Sequence, residues 1–208
     1  MGLQCVRAAA RSWRWLPTSS DALGPQADWS PFATIEPLAP PGLLSWLAEP
    51  GLLTARVRAL CGERMRFSML GPLREASLPL ELRSRLRVAD ERCLLRDIEF
   101  RCGDERIVYA QTVLPDSTVR RYPWLHELGD SPIGETLRRA GEPLEREPLE
   151  YAELPLQADL ARAALGTDAA NHGREPLWAR RAVYRLGGEP ILVQEVFLPA
   201  LLHVQPGA

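Results

Sequence analysis

Lysine is absent: the 25 basic residues of this 208-residue chain are all arginine. That removes chemistry needing an ε-amino group, from Schiff bases to the phosphate-contacting lysine of a P-loop. The base composition of a GC-rich genome explains such uniformity better than function does. Histidine is almost as scarce, and His126, His172 and His203 lie far from one another. Cys5, Cys61, Cys93 and Cys102 show no C-x-x-C spacing. Neither set resembles a zinc site or a disulfide framework, so four free thiols in a reducing cytoplasm and no metal are expected. No apolar run approaches the ~20 residues needed to span a bilayer, so no integral membrane segment is expected. Arg7, Arg11 and Arg14 lie near the start without the continuous apolar stretch of a secretory signal. A net charge of −2 gives no electrostatic argument for nucleic acid as a partner.

What is present suits one sizeable core rather than two. Residues 1–24, with Trp13 and Trp15, read as a loosely held extension, and a membrane-surface helix is the rival reading. Pro25, Pro31, Pro37, Pro40 and Pro41 point to an extended lead-in without regular structure, so the extension is drawn over 1–42 and the domain over 43–208. Leu43, Leu44, Trp46 and Leu47 have helical spacing, Glu49-Pro50-Gly51 breaks the run, and residues 52–60 resume it. Two short helices in a hairpin could fold over something. Met65, Phe67 and Met69 alternate as in a strand, and residues 71–90 look irregular or briefly helical.

Two hairpins follow from alternation. The first runs from Cys93 to Arg101, turns at Cys102-Gly103-Asp104-Glu105 and returns from Arg106 to Leu114. A four-residue turn would oppose Leu94 to Val113, Arg96 to Gln111, Ile98 to Tyr109 and Phe100 to Ile107. The second runs from Trp178 to Leu186, turns at Gly187-Gly188-Glu189-Pro190 and returns through Ile191-Leu192-Val193-Gln194-Glu195-Val196-Phe197. Its expected pairs are Leu186 with Ile191, Tyr184 with Val193, Ala182 with Glu195, and Arg180 with Phe197. Between the hairpins, Ser131 reads as an N-cap and Pro132 as the first residue of a helix, placing the Ile133 amide where anions are favoured. Residues 141–176 read as a surface insertion without chemistry of its own, apart from a short helix at Ala158 to Leu165.

The inward faces of the hairpins are apolar with a few exceptions: Arg96, Gln111, Glu195 and Arg180. A lone carboxylate on a core strand costs several kcal/mol unless it is partnered or neutral. Arg96 and Glu195 therefore either form a buried salt bridge or flank a cavity and hold opposite ends of a small polar molecule. Such a ligand would be flat and mostly apolar, with a carboxylate for the arginine fork and a hydroxyl for the glutamate. Arg181 and Arg185 fall on the opposite face, where solvation is expected.

Trp178-Ala179-Arg180-Arg181 and Leu192-Val193-Gln194-Glu195-Val196-Phe197-Leu198-Pro199 resemble the C-terminal signature of the chorismate lyase family. The likeness extends to Trp46-Leu47 through Leu53-Thr54, Leu95-Arg96-Asp97-Ile98, Thr112-Val113-Leu114-Pro115, and Leu128-Gly129 through Pro132-Ile133-Gly134. It spans roughly residues 43–138 and 177–199 in order. The resemblance implies an α+β fold with a single antiparallel β-sheet, helices on one side, and helical flaps over a buried ligand pocket. It implies cleavage of chorismate to 4-hydroxybenzoate and pyruvate in ubiquinone biosynthesis, by a cytoplasmic monomer needing no cofactor. On that likeness Arg96 holds the ring carboxylate, assisted by the amides of Leu53 and Ile133, and Glu195 meets the 4-hydroxyl. Arg180 and Gln111 are the candidates for the second carboxylate. Because bacterial repressors carry ligand-sensing domains of similar fold, a non-catalytic binder of small aromatic acids is the alternative. The Pro-rich first 42 residues show no helix-turn-helix.

Overall fold

The computed structural model describes residues 27–170 and 172–206. The extension expected over residues 1–24, and Cys5 within it, lie outside that range. In chain order come α1 (Phe32–Ile35), α2 (Pro41–Leu47), α3 (Leu53–Cys61), β1 (Met65–Met69) and β2 (Arg74–Ser77). Then follow α4 (Leu80–Leu86), β3 (Arg92–Cys102), β4 (Glu105–Pro115), α5 (Asp116–Arg121) and α6 (Ile133–Arg139). The chain closes with β5 (Leu144–Arg146), β6 (Glu150–Leu154), α7 (Asp159–Leu165), β7 (Leu177–Leu186) and β8 (Glu189–Phe197).

Proline starts most of these helices instead of preventing them. Pro31, Pro40, Pro79, Pro115 and Pro132 each stand just before a helix in extended or near-extended backbone. A helix's first turn has no intrahelical use for the missing N–H, so proline costs nothing there. The expectation that residues 25–41 lack regular structure is therefore corrected, since α1 and the start of α2 fall within them. Likewise Pro132, not Ser131, occupies the N-cap of α6, and no side chain caps it.

All strands among the described residues pair antiparallel in one sheet of order β1-β3-β4-β8-β7-β5, with β2 also pairing β3 and β6 also pairing β7. The segment 141–176 is thus no surface insertion: it contributes β5 and β6 to an edge, and α7 to one covering layer. Helices cover both faces. On one, α2 and α3 pack with Ile98, Phe100, Ala110 and Phe197, and α6 packs beside Val193. On the other, α7 packs on Tyr109, Ala179 and Val196, and α4 on Leu95, Val113 and Leu192.

Both hairpins exist, and both registers differ from expectation. A β-bulge between Phe100 and Arg101 makes the first one slip by one residue beyond the turn, so Arg96 opposes Thr112 and Asp97 opposes Gln111. A one-residue slip exchanges faces, and it moves Gln111 away from Arg96. The second hairpin turns through Gly187-Gly188 alone, joining Leu186 to Glu189. Both glycines have positive φ, +53° and +92°, the backbone a tight two-residue hairpin turn requires. Two residues of tightening keep every side chain on its face but change its partner. Arg180, not Ala182, stands opposite Glu195.

The four-thiol expectation is also corrected. Cys61 ends α3 and Cys102 ends β3; β1 pairs Met65 with Cys102, and the two cysteines form a disulfide with Cα atoms 5.4 Å apart. Nothing in the local spacing marks this pair, because 41 residues separate them. Cys93 remains a free, buried thiol.

Candidate active site

The cavity of about 50 Å³ beneath α3 and α6 has a floor of β3, β4, β7 and β8. It would hold several waters, each needing ~10–15 Å³. Arg96 and Glu195 lie on this floor, and Leu53 and Ile133 in its roof. Leu53 and Ile133 are the first residues of α3 and α6, where backbone N–H groups have no intrahelical partner. The structure therefore brings together all four residues singled out from the sequence. Arg180 lines the same cavity, whereas Gln111 does not.

The roof closes tightly. A Cβ on Gly134 would lie 2.7 Å from Leu52 Cδ2, so a larger residue there would have to displace the Leu52 side chain. Arg58 reaches Glu135 across the two helices at 3.4 Å. Arg56 binds α3 to α2: it stacks on Trp46 at 4.0 Å, pairs with Glu49 at 3.3 Å and donates to Ser45.

Arg96 is 1% exposed. Its Nη2 donates to the carbonyls of Gly129 (2.7 Å) and Ser131 (2.8 Å), which fixes the side chain below the loop leading into α6. Nε and Nη1 are buried without a hydrogen-bond partner among the described residues. Burial pushes the guanidinium pKa below its ordinary value, with nearby Asp130 opposing the shift. A buried cation with unused donors is costly and is suited to an incoming anion. The salt-bridge alternative between Arg96 and Glu195 is not what forms.

Glu195 instead accepts from Arg180 Nε at 2.5 Å. Arg180, 2% exposed, gives Nη1 to the carbonyls of Trp46, Leu47 and Glu49 at 3.1, 3.3 and 2.7 Å. A cation at a helix C-terminus is favoured by the helix dipole, so Arg180 ties the floor carboxylate to the end of α2. Gln111 belongs to the opposite face, where it and Tyr109 Oη both donate to Asp97. Burial, with Asp97 alongside, drives the Tyr109 phenol pKa well up. Arg181 is on that face too, as the alternation requires, but it is 5% exposed rather than solvated. It pairs with Glu150 at 2.8 Å and stacks on Trp29 at 4.4 Å.

Sequence reasoning missed Tyr184, Arg146 and Leu149, which also line the cavity. Tyr184 was visible on the inward face of the last hairpin but carried no polarity signal. Arg146 ends β5 and Leu149 directly precedes β6, within the stretch read as an insertion.

The family model described as chorismate lyase matches residues 23–206. The chain belongs to the chorismate lyase family. Among relatives, a "probable chorismate pyruvate-lyase" of Methylococcus capsulatus is 37% identical over 79% of this chain and 99% of its own length. One from Thiobacillus denitrificans is 35% identical over 86% and 92%. The fold has further likenesses. The C-terminal domain of the histidine utilization repressor from Pseudomonas syringae superposes with TM-score 0.51 at 17% identity, over 66% of this chain and 93% of that one. A GntR-family transcriptional regulator from Bacillus cereus gives TM-score 0.51 at 10% identity, with the same coverage. Family membership thus comes from the sequence relatives, and the regulators share the fold alone. No helix among the described residues is long and apolar enough to cross a membrane.

Proposed function

We propose that this protein is a chorismate pyruvate-lyase, converting chorismate to 4-hydroxybenzoate and pyruvate as the first committed step of ubiquinone biosynthesis. The observation that carries this reading is Arg96, buried on the cavity floor with Nε and Nη1 unpartnered among the described residues, in a cavity that also holds Glu195. Arg96 anchors the ring carboxylate, and the amides of Leu53 and Ile133 assist from the roof. Glu195, positioned by Arg180, receives the 4-hydroxyl and orients C4.

Electron flow needs no added redox partner. The C4–H bond breaks, its electron pair forms the new ring double bond, and the C3–O ether bond breaks with its electrons left on oxygen. The released enolpyruvate takes a proton at its methylene carbon to become pyruvate. Aromatisation supplies the driving force, leaving the protein to orient the substrate and exclude water. The first product keeps the carboxylate and the hydroxyl, so both anchors hold it and its release is slow. The protein acts as a monomer.

The test is to incubate purified protein with chorismate and follow both products. Equimolar pyruvate and 4-hydroxybenzoate well above the uncatalysed rate are expected. Absence of product refutes the lyase reading, and saturable binding of 4-hydroxybenzoate without turnover identifies a sensor of the same fold.

A further inference from the structure

The substrate of the proposed reaction is a dianion, and the floor accounts for only one carboxylate. Among the described residues, the charged side chains lining the cavity are Arg96, Arg146, Arg180 and Glu195: three positive charges less one negative, a surplus of two. Arg96 takes the ring carboxylate on the reading above. Arg180 commits Nε to Glu195 and Nη1 to three flap carbonyls. Gln111, the other residue suggested by sequence for this task, is on the wrong face. That leaves Arg146.

Arg146 ends β5 directly opposite Tyr184 of β7, and among the described residues it takes part in no ion pair. Burial and the Glu195 charge raise the Tyr184 pKa, the neighbouring Arg146 charge opposes them, and the hydroxyl keeps a proton to donate to an acceptor. Unlike the two buried arginines Arg146 is exposed, so it stands on the solvent side of the cavity. We propose that Arg146 and the Tyr184 hydroxyl form the seat for the enolpyruvyl carboxylate at the cavity mouth. This rests on the chorismate-lyase reading and extends it. A carboxylate seated there departs with pyruvate toward solvent, while the aromatic product stays below on Arg96. The seat therefore discriminates the substrate from the product that shares its ring.

The test compares Arg146→Gln, Arg146→Lys and Tyr184→Phe with the unmodified chain. Steady-state kinetics with chorismate and direct binding of 4-hydroxybenzoate are both measured. Removing one charge-assisted contact that is partly screened by solvent raises KM for chorismate about 5- to 50-fold in Arg146→Gln. Affinity for 4-hydroxybenzoate stays within about twofold, which also certifies the fold, and Arg146→Lys recovers part of the loss because charge without the fork remains. Tyr184→Phe gives a smaller rise in KM of the same selectivity. Unchanged chorismate kinetics in Arg146→Gln overturn the proposal, as does a loss of 4-hydroxybenzoate affinity matching the loss for chorismate. If the unmodified chain binds both compounds without turnover, the lyase reading fails on its own. The ratio of the two dissociation constants in Arg146→Gln then still decides the seat, since only chorismate carries the second carboxylate.

Discussion

Replacing Arg96 with methionine keeps much of the stem's bulk and deletes the guanidinium, and stability and binding should respond differently. The unliganded protein loses the hydrogen bonds to the Gly129 and Ser131 carbonyls, each worth about 1.5–3 kcal/mol when the donor is charged. It is relieved of a buried cation whose Nε and Nη1 have no partner among the described residues, a burden of several kcal/mol. The two terms oppose each other, so unfolding free energy changes by no more than about 2 kcal/mol, under ~8 °C in Tm for a chain of this size. Binding has no such offset. Two charge-assisted contacts to the ligand carboxylate vanish, together about 3 kcal/mol at the least, or more than ~100-fold in Kd. Titration calorimetry with 4-hydroxybenzoate reads the second effect and thermal melting the first. The control is Arg181→Met, which removes another buried arginine from the opposite face. It should leave Kd within about threefold, since Glu150 keeps Arg85 as a partner and nothing on the cavity floor moves. The assignment of Arg96 to the ligand is refuted if Arg96→Met binds within tenfold of the unmodified chain. Equal losses in the two variants refute the assignment of strand faces.

Four further outcomes follow from the geometry. Glu195→Gln keeps an acceptor for Arg180 but removes the charge partner of a buried cation, so stability should fall by about 1–3 kcal/mol. The preference for 4-hydroxybenzoate over benzoate should shrink with it; calorimetry showing an unchanged preference would remove Glu195 from the hydroxyl. Gly187→Ala should destabilise more than Gly188→Ala in urea, by at least ~1 kcal/mol, although both adopt positive φ. Only the former places a Cβ 2.4 Å from Tyr122 Oη, whereas Gly188 has open space, so equal losses would contradict the turn. Thiol titration of the denatured, unreduced chain should find no more than two thiols, and four after reduction, because Cys61 and Cys102 are paired. Burial pushes the folded Cys93 thiol up to about 12 from 9.0. Above pH 9 the unfolded chain releases this proton and the folded one keeps it, so stability is lost as pH rises from about 9 toward 12. A Cys93→Ala variant should lack that part of the decline in urea melts at pH 8 and pH 10.5.

The cavity floor was legible in large part because strand alternation is local. Counting by twos puts Arg96 with Ile98 and Phe100, and Glu195 with Val193 and Phe197, whatever the rest of the chain does. The helical hairpin was legible for the same reason, with α2 and α3 separated at Glu49-Pro50-Gly51. Partners across strands were less accessible. Register depends on turn length and bulges, and a bulge at Phe100/Arg101 together with a two-residue turn at Gly187-Gly188 changed every expected pair beyond Arg101–Arg106. Those two details exchanged Gln111 for Thr112 opposite Arg96, and Ala182 for Arg180 opposite Glu195. The 141–176 segment was misread because β5 and β6 are short and flanked by proline. They become strands only through the hydrogen bonds that β7 offers along its edge.

By itself, then, the sequence determined the periodicities, the two opposed hairpins, the charged residues on apolar faces, and through its motifs the family. These are properties of residues within a few positions of one another, and alternation or helical spacing expresses them without reference to distant chain. Only the tertiary structure decided what those charges meet. Glu195 was an unexplained carboxylate on a core strand, and the fold gave it Arg180 and, through Arg180, the carbonyls at the end of α2. Arg96 was a candidate partner for Glu195, and the fold instead fastened one nitrogen to the loop before α6 and left two unused. Arg146 was placed in an insertion, and the fold set it at the mouth of the cavity. Each outcome depends on which strand edges and helix ends converge, and on a register set by one bulge and one turn.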